Sequence, residues 1–524
     1  MRRIWAVVSV MAVTWTGTAF AQVEVNDADG LRAAIAAAQP GDVLQLAAGL
    51  YALDGNVTTS RAGAEGAPIT VRGPDEGEAV LRFSRSDGGY VEGFKTQHQY
   101  WIFEGLTLEG DCADHSKCEH AWHVSGDADF LIIRNNIARN FNAHIKANRG
   151  GDGDNQVFPD DVLVEGNEFY SETVRDTANP VTPIDVVGGR RWRIRRNFIH
   201  DHAKGQGNGI SYAAFLKGNS RDGVIEQNLV MCELIHQGRT RLGLSFGGGG
   251  SGPDPICEER ICRPEHRNGL MANNIIANCP ADVGVFVRQC DDCRILHNTI
   301  FNTTGIDFLE DSSGAVRNNI LMGRIRDRQG SLTQKEDNLD RVSAEDFRAW
   351  FTDPDAGDFS LVGPDAPFID AARLLDEVND DYCGRARERA RDIGAVEYTS
   401  DAPCDTRRPA MDEDPPPPPE DAGVPPDASV VDDASVDPDG TTRPDVGGTP
   451  GADGAPPAED AGGSPEADAA SADAAPPAAD ARAPSDDGEC DDGGCSASGA
   501  TPASALLFLG ICLGLFRRRR GAAP

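Results

Sequence analysis

Seven short stretches of the chain share one pattern of apolar and polar positions: LIIRNNIARN, VLVEGNEFYS, WRIRRNFIHD, GVIEQNLVMC, GLMANNIIAN, RILHNTIFNT and GAVRNNILMG. Each carries an apolar residue, two mostly polar ones, an asparagine, one variable residue, then an apolar or aromatic position. The aligned asparagines are Asn136, Asn167, Asn197, Asn228, Asn274, Asn298 and Asn319, at spacings of 31, 30, 31, 46, 24 and 21. Repeats of roughly 20 to 30 residues predict stacked units that bury a core only against their neighbours. Short β-branched runs with period-2 alternation make the units strands. Asparagine tolerates the left-handed backbone of a bend, and stacked asparagine side chains hydrogen-bond from rung to rung. The pattern therefore predicts an all-β chain, a right-handed parallel β-helix (a solenoid) in which each coil adds one rung. A leucine-rich horseshoe would need a Leu-dominated frame that the repeats lack.

The flanks extend this reading. VNDADGLRAAIAAAQPGDVLQLAAGLY predicts an N-terminal capping helix over Ala28 to Ala38 followed by a first strand, and APITVRGPDEGEAVLRF predicts the next coil. This opening resembles bacterial β-helix proteins related to the chondroitinase B and alginate lyase family, more broadly the pectate lyase-like β-helices. DAGDFSLVGPDAPFIDAA through RDIGAVEY is similar to the segment that closes many such helices. The resemblance spans about residues 23 to 398, and it concerns architecture, which does not by itself give function.

Beyond the helix the composition changes. From Asp401 to Asp492 there are 25 Asp and Glu against 4 Arg, with no aromatic residue. Such a segment buries too little apolar surface to offset its ordering entropy and is expected to be disordered. Much of the net charge of -35 lies there, so it describes a solvated stalk and not a ligand. The first 21 residues, with Arg2 and Arg3, an apolar run and Ala19-Phe20-Ala21, read as a secretory signal peptide. At the other end an apolar stretch over 500–516 precedes Arg517 to Arg520, at the short limit for a membrane-spanning helix. Acidic linker, Gly494-Cys495, apolar helix and arginine cluster together resemble the MYXO-CTERM sorting tail of myxobacterial surface proteins. That resemblance implies processing near Cys495 by a sorting protease, a membrane contact through the helix before processing, and display on the cell surface; a simple tail anchor is the alternative. The expected domains are a signal peptide at 1–21, the β-helix at 22–400, a linker at 401–494 and a sorting segment at 495–520. Export places the thirteen cysteines in an oxidising compartment. The close pairs Cys112/Cys118, Cys257/Cys262 and Cys290/Cys293 are then expected to be loop staples and not metal ligands.

The chemistry begins at FLKGNSRDGVIEQN. Lyases of the family cleave uronate polysaccharides by β-elimination, which needs the substrate carboxylate neutralised and a base beside the adjacent C–H. A lysine serves if burial or nearby positive charge favours its neutral form. The resemblance puts the base lysine on a strand just before an Asn turn, where Lys217 stands, with an arginine about one rung later, as Arg239 or Arg241. His236 is a further candidate base, and His144, His200 and His202 are the other histidines near the presumed face. No carboxylate stands upstream of Lys217 in GNGISYAAFLKG, so no metal ligand is assigned; calcium is the cofactor left open. Counting back from the turn asparagines sets Asp185, Lys217, Arg288 and Glu310 at 9 to 12 residues before their asparagines, which predicts one outward ridge. Residues 190–296 hold 15 Lys and Arg against 11 Asp and Glu. Within them GGRRWRIRRN offers Arg190 and Arg191 beside Trp192, a face suited to an anionic glycan, although acidic loops would balance it equally well.

Other stretches weigh less. GGDGDNQ has Asp152 and Asp154 but lacks the downstream Glu of a calcium loop. QCDDC shares Asp-Asp-Cys with polygalacturonases without their companion elements, which argues against a glycosidase. SFGGGGSGPDPICEERICRPEHRN reads as an inserted loop, either a wall of the cleft beside Lys217 or an inert excursion. The reading is a surface-displayed β-helix protein that acts on or binds acidic polysaccharide, with no nucleic-acid partner. Enzyme or not is left open: a lyase-like enzyme using Lys217, Arg239, Arg241 and His236, with Asp185, Arg190, Arg191, Arg288 and Glu310 binding substrate, or a non-catalytic, adhesin-like protein that binds glycan or a partner through the same face.

Overall fold

The computed structural model describes residues 21–151, 155–248, 250–400 and 404–407. Three long sheets carry the chain. Sheet 1 has twelve strands, from Gln22–Val25 to Leu332–Glu336; sheet 2 has ten, from Gly49–Asp54 to Ile320–Leu321; sheet 3 has eight, from His120–Ser125 to Arg324–Asp327. One coil shows the rule: Arg193–Arg195 lies in sheet 1, Phe198–His200 in sheet 2 and Ile210–Lys217 in sheet 3. The next coil pairs parallel to it, Arg193 with Val224, Phe198 with Leu229 and Ile210 with Thr240. The chain is a parallel β-helix. Its interior is filled by columns of Val, Ile, Leu and Phe with Trp101, Trp122 and Trp192 among them, all essentially unexposed. Each such side chain removed from water contributes about 1.5–3 kcal/mol.

The asparagines form a continuous internal ladder. From Asn167 onward each Oδ1 accepts from both the backbone N–H and the Nδ2 of the asparagine one coil earlier, at 2.8–3.0 Å, while Asn136 Oδ1 accepts from the Leu106 N–H. The ladder runs one step beyond the seven aligned residues, to Asn338. The left-handed backbone falls on the residue before each ladder asparagine, such as Arg196, Gln227, Asn273 and His297, and not on the asparagine itself as the sequence suggested. The ladder asparagine instead satisfies buried backbone groups at the bend, which would otherwise be stranded.

Helix α1 (Ala28–Ala37) caps the N-terminal end, with Asp27 accepting from the Gly30 N–H and Leu31 and Ile35 buried. At the other end helix α2 (Ala344–Trp350) and the hairpin Phe351–Asp353/Asp358–Leu361 bring Phe347 and Phe359 against Phe301 of sheet 2, with Phe351 packed on Phe359 and on Phe368 of the following segment. Buried Arg387 ties the following segment down: it pairs with Glu397 at 2.8 Å and donates to Asn273 Oδ1 and four backbone carbonyls from Asp380, Asp392, Gly394 and Ala395. Packing continues past residue 400, because Cys404 is bonded to Cys383 and Thr406 accepts from the Phe359 N–H. The boundary expected at 400 is therefore too early.

The three expected staples are present, and two further disulfides join them, Cys232–Cys279 and Cys383–Cys404. Most of the expected signal peptide, most of the expected acidic linker, the expected sorting segment with Cys495, and Asp152 and Asp154 lie outside the described residues. Among the described residues no helix is long and apolar enough to cross a membrane.

Candidate functional site

Successive side chains of a strand point to opposite faces. In sheet 3 the inward set, including Val186, Ala214, Leu216, Leu244 and Val285, is fully buried. The outward positions stack from rung to rung into two rows. One runs from Lys146 through Asp185, Phe215, Ser245 and Phe286 to Asp307. The other, two residues further along each strand, holds Val187 and Lys217, continues past Phe246 to Gly247, and reaches Arg288. Lys217 and Arg288 thus lie two rungs apart, about 10 Å at the usual strand spacing. Between them Gly247 offers no side chain. Its φ of +68° and a would-be Cβ only 2.0 Å from the Arg288 carbonyl oxygen require glycine.

Lys217 ends its strand half-buried, its ammonium 4.4 Å from the centre of the Phe215 ring. It forms no ion pair among the described residues. Phe215 and Phe286 each meet Tyr212 edge-on, at 5.6 and 6.1 Å, so an aromatic patch adjoins the cation. Arg288 pairs with Glu310 at 2.7 Å, and Asp185 with Lys146 at 3.0 Å. The predicted ridge is therefore half right. Lys217 and Arg288 share a row, Asp185 stands in the neighbouring one beside Phe215, and Glu310 lies in the turn beyond, at φ 51°.

The inserted loop packs directly against the end of the Lys217 strand. Glu265, buried, accepts from the Gly218 N–H at 3.0 Å and from Ser251 Oγ at 2.6 Å. Glu258 accepts from the Gly189 N–H at 2.9 Å, while its own N–H donates to the Gly218 carbonyl and its carbonyl accepts from Asn219 Nδ2. A cavity of about 450 Å³ opens where this loop meets the segment 156–160, lined by Phe158, Asp160, Arg190, Glu258 and Arg260 among others.

The other expected catalytic residues lie elsewhere. Arg241 pairs in register with Ser211, six residues before Lys217 on the same strand, which is about 20 Å away. It is 1 % exposed, donates to the Gly238 carbonyl and contacts His236 Nδ1 at 2.9 Å, and lies 3.7 Å from Asp201. His236 reaches the Ser171 carbonyl at 3.1 Å, and burial, with Arg241 beside it, lowers its pKa. Asp201 meanwhile accepts from the N–H groups of Leu234, Ile235 and His236. This group fastens the 232–240 connection. Arg239 is exposed in that connection at φ 70°. The structure does not bring Lys217 together with Arg239, Arg241 or His236.

Of the four expected histidines, only His144 stands on a strand of sheet 3, and it is buried. Burial drives His144 and His202 down to about 3, and they contact the Tyr170 and Leu242 carbonyls. Burial opposes charge on His200 too, but hydrogen bonds to Asp201 and Glu168 outweigh it and hold its pKa above the usual range. The arginines of GGRRWRIRRN are balanced locally: Arg190 pairs with Glu258, Arg191 with Asp161, Arg193 with Glu226 and Arg195 with Glu165. Trp192 is inside, its Nε1–H donating to the Pro159 carbonyl at 2.8 Å. The basic, aromatic face expected there is not formed. Sequence reasoning missed Lys146 and the Phe215–Phe286 patch; the alternation in AHIKAN carries the signal for Lys146, but the long loop after it breaks the count to the next asparagine.

Calcium takes six to eight oxygen ligands, usually with several carboxylates. The carboxylates near Lys217 are each committed: Asp185 to Lys146, Glu310 to Arg288, and Glu265 to the loop it holds. Among the described residues no group of three acidic, histidine or cysteine side chains could hold a metal ion. The donor set does not fit calcium.

No protein-family model matches the chain. It is 36% identical over 92 residues to pectate lyase L of Dickeya chrysanthemi, covering 16% of this chain and 22% of that one. It is 26% identical over 212 residues to pectate lyase L of Dickeya dadantii (strain 3937), covering 34% and 49%. The chain thus spans half or less of the length of these curated relatives. Among solved structures, pectate lyase Pel9A superposes with a TM-score of 0.43 at 15% identity, over 73% of this chain and 98% of that one. The chain is a parallel β-helix with partial sequence similarity to pectate lyases.

Proposed function

We propose that this protein is an exported polysaccharide lyase-like β-helix that cleaves an acidic polysaccharide by β-elimination on the outward face of sheet 3. The observation that carries the reading is Lys217, an unpaired ammonium on an aromatic patch and in one row with Arg288 across a side-chain-free rung. The similarity to pectate lyases supports the same class of substrate.

In this reading a uronate lies across Gly247 with its carboxylate toward Arg288, which Glu310 holds in place. Bound charge there acidifies the C–H next to the carboxylate. The unprotonated amine of Lys217 takes that proton, the released electron pair closes a carbon–carbon double bond, and the glycosidic C–O bond at the adjacent carbon breaks. The departing oxygen collects a proton from water. Phe215 and Phe286 give the sugar rings an apolar surface to pack on. Five disulfides suit an oxidising, extracellular setting, and the signal peptide and sorting tail read in the sequence support export and surface display.

The test is incubation of the purified protein with a panel of uronate polymers, following the ultraviolet absorbance of the unsaturated product. Lys217→Ala should lower the rate by roughly 10²–10⁴-fold, the usual contribution of a general base. No product from any polymer, together with retention on immobilised glycan, would make the face a binding surface, as in the adhesin-like alternative.

A further inference from the structure

We infer that Lys146 is a built-in counter-ion of this groove, holding the buried Asp185 of the next rung, and that the groove works without a dissociable divalent cation. The inference rests on the lyase reading for its purpose, but its evidence is the arrangement of charges.

Asp185 is 4 % exposed although it stands in an outward row. One of its oxygens takes the Lys146 ammonium at 3.0 Å; the other has no hydrogen-bond partner. A buried carboxylate left this incompletely satisfied needs a compensating charge, because removing its one partner leaves an uncompensated ion. Lys146 supplies that charge from the preceding rung, in register with Asp185. On the following rung Asp185 is paired with Phe215, whose ring carries the Lys217 ammonium. The two lysines therefore lean onto adjacent positions of one row, one held by a carboxylate and one without.

The same economy holds along the face. Glu92 is shared by Lys95 at 3.0 Å and His123 at 2.9 Å, and Asp307 by Arg326 and Arg328. Asp185, Glu92 and Asp307 each already have a side-chain cation, so none of the three is left over to share a divalent ion with its neighbour. A lysine ammonium is a compact point charge with three donors. Fixed on Asp185, and with its side chain still 22 % exposed, it offers a permanent positive site that an anionic sugar meets without any ion being bound first.

The experiment is a calcium titration of the purified protein, read by thermal melting and by calorimetry, in wild type, Lys146→Arg, Lys146→Met and Lys146→Asp. Wild type and Lys146→Arg should show no calcium-dependent rise in Tm and no binding heat. Lys146→Met should melt lower. Lys146→Asp, with two carboxylates one rung apart, should melt lower in EDTA and regain stability with calcium. Should Lys146→Asp fail to fold in EDTA, its recovery on folding in calcium reads the same point. Calcium binding to wild type, or calcium sensitivity in Lys146→Arg, overturns the inference. The polymer assay separates the two readings: absence of product on every polymer defeats the lyase reading, whereas product formation by wild type that EDTA abolishes defeats this one.

Discussion

Replacing Asn228 by alanine should cost the helix about 3–5 kcal/mol, and the figure follows from counting what the side chain does. Asn228 is fully buried. Its Oδ1 accepts from the Asn197 N–H and from Asn197 Nδ2, both at 3.0 Å. Its Nδ2 donates to the carbonyls of Ile194 and Glu226 and to Asn274 Oδ1, all at 2.9 Å. Alanine strands the Asn197 N–H outright, worth about 1–3 kcal/mol, and removes further bonds each worth about 0.5–1.5 kcal/mol net. Partial relaxation keeps the total below the simple sum. Asn338, the last rung of the ladder, is half-buried. Asn338→Ala removes the acceptor for the Asn319 N–H and Nδ2, but water can reach that end, so the loss should be about 1–2 kcal/mol. Urea unfolding followed by tryptophan fluorescence compares them, with equal slopes required before midpoints are converted to free energies. Equal costs at Asn228 and Asn338, or a cost below about 1 kcal/mol at Asn228, would refute the idea that the ladder holds the bends.

Arg288→Ala should lower kcat for an acidic polymer more than it raises KM, because its charge acts on the C–H as it is lost in the transition state; steady-state kinetics on the polymer that wild type cleaves showing a KM rise at unchanged kcat would instead make the arginine a ground-state binder only. Arg387→Met should destabilise by about 3–5 kcal/mol, since it leaves Glu397 buried without its partner, as chemical denaturation would measure. Burial raises the Glu397 carboxyl from 4.5 to about 7 against the opposing pull of Arg387. The folded state then holds the proton more tightly, so the stability this group contributes is greatest at low pH and declines as pH rises from about 4.5 through about 7; the wild-type minus Glu397→Gln difference in unfolding free energy should fall across that window, and a rise would reverse the assignment. The Cys232–Cys279 bridge closes a loop with a sequence separation of 47, so the Cys232→Ala/Cys279→Ala double variant should lose about 4 kcal/mol on the chain-entropy estimate, read by the shift in urea midpoint.

The fold was legible because one residue type recurs at one structural position. Asparagine spacing marked seven bends, and strand alternation around each marked the sheets. The eighth bend was hidden because Asn338 sits in KEDNLD, where the coil has lost its apolar frame. The site was harder to read. Distance along the chain from a bend locates a row only when the turns are equally long, so Asp185 was assigned to the row of Lys217 when it belongs to the next one. Arg241 follows Lys217 closely in sequence, yet register places it opposite Ser211, at the far end of the strand. Trp192 illustrates the reverse error: arginines flank it, but alternation turns it inward while they turn out. Close cysteine pairs could be matched by spacing, whereas Cys232 and Cys279 meet only because Met231 and Ala277 are neighbours across two coils.

The inserted loop between Gly247 and Glu265 is anchored to the solenoid by two buried carboxylates, through Gly189 and Gly218, together with backbone bonds at its edges. Whatever lies between those anchors can change in length or composition while the coils beneath keep their register. The loop is in this sense a socket: a replacement that retains Glu258 and Glu265 would be seated beside Lys217 and the adjoining cavity with the same footing. Under the proposed function, selectivity for one polymer over another can then diversify at this point of the surface without the repeating body having to change.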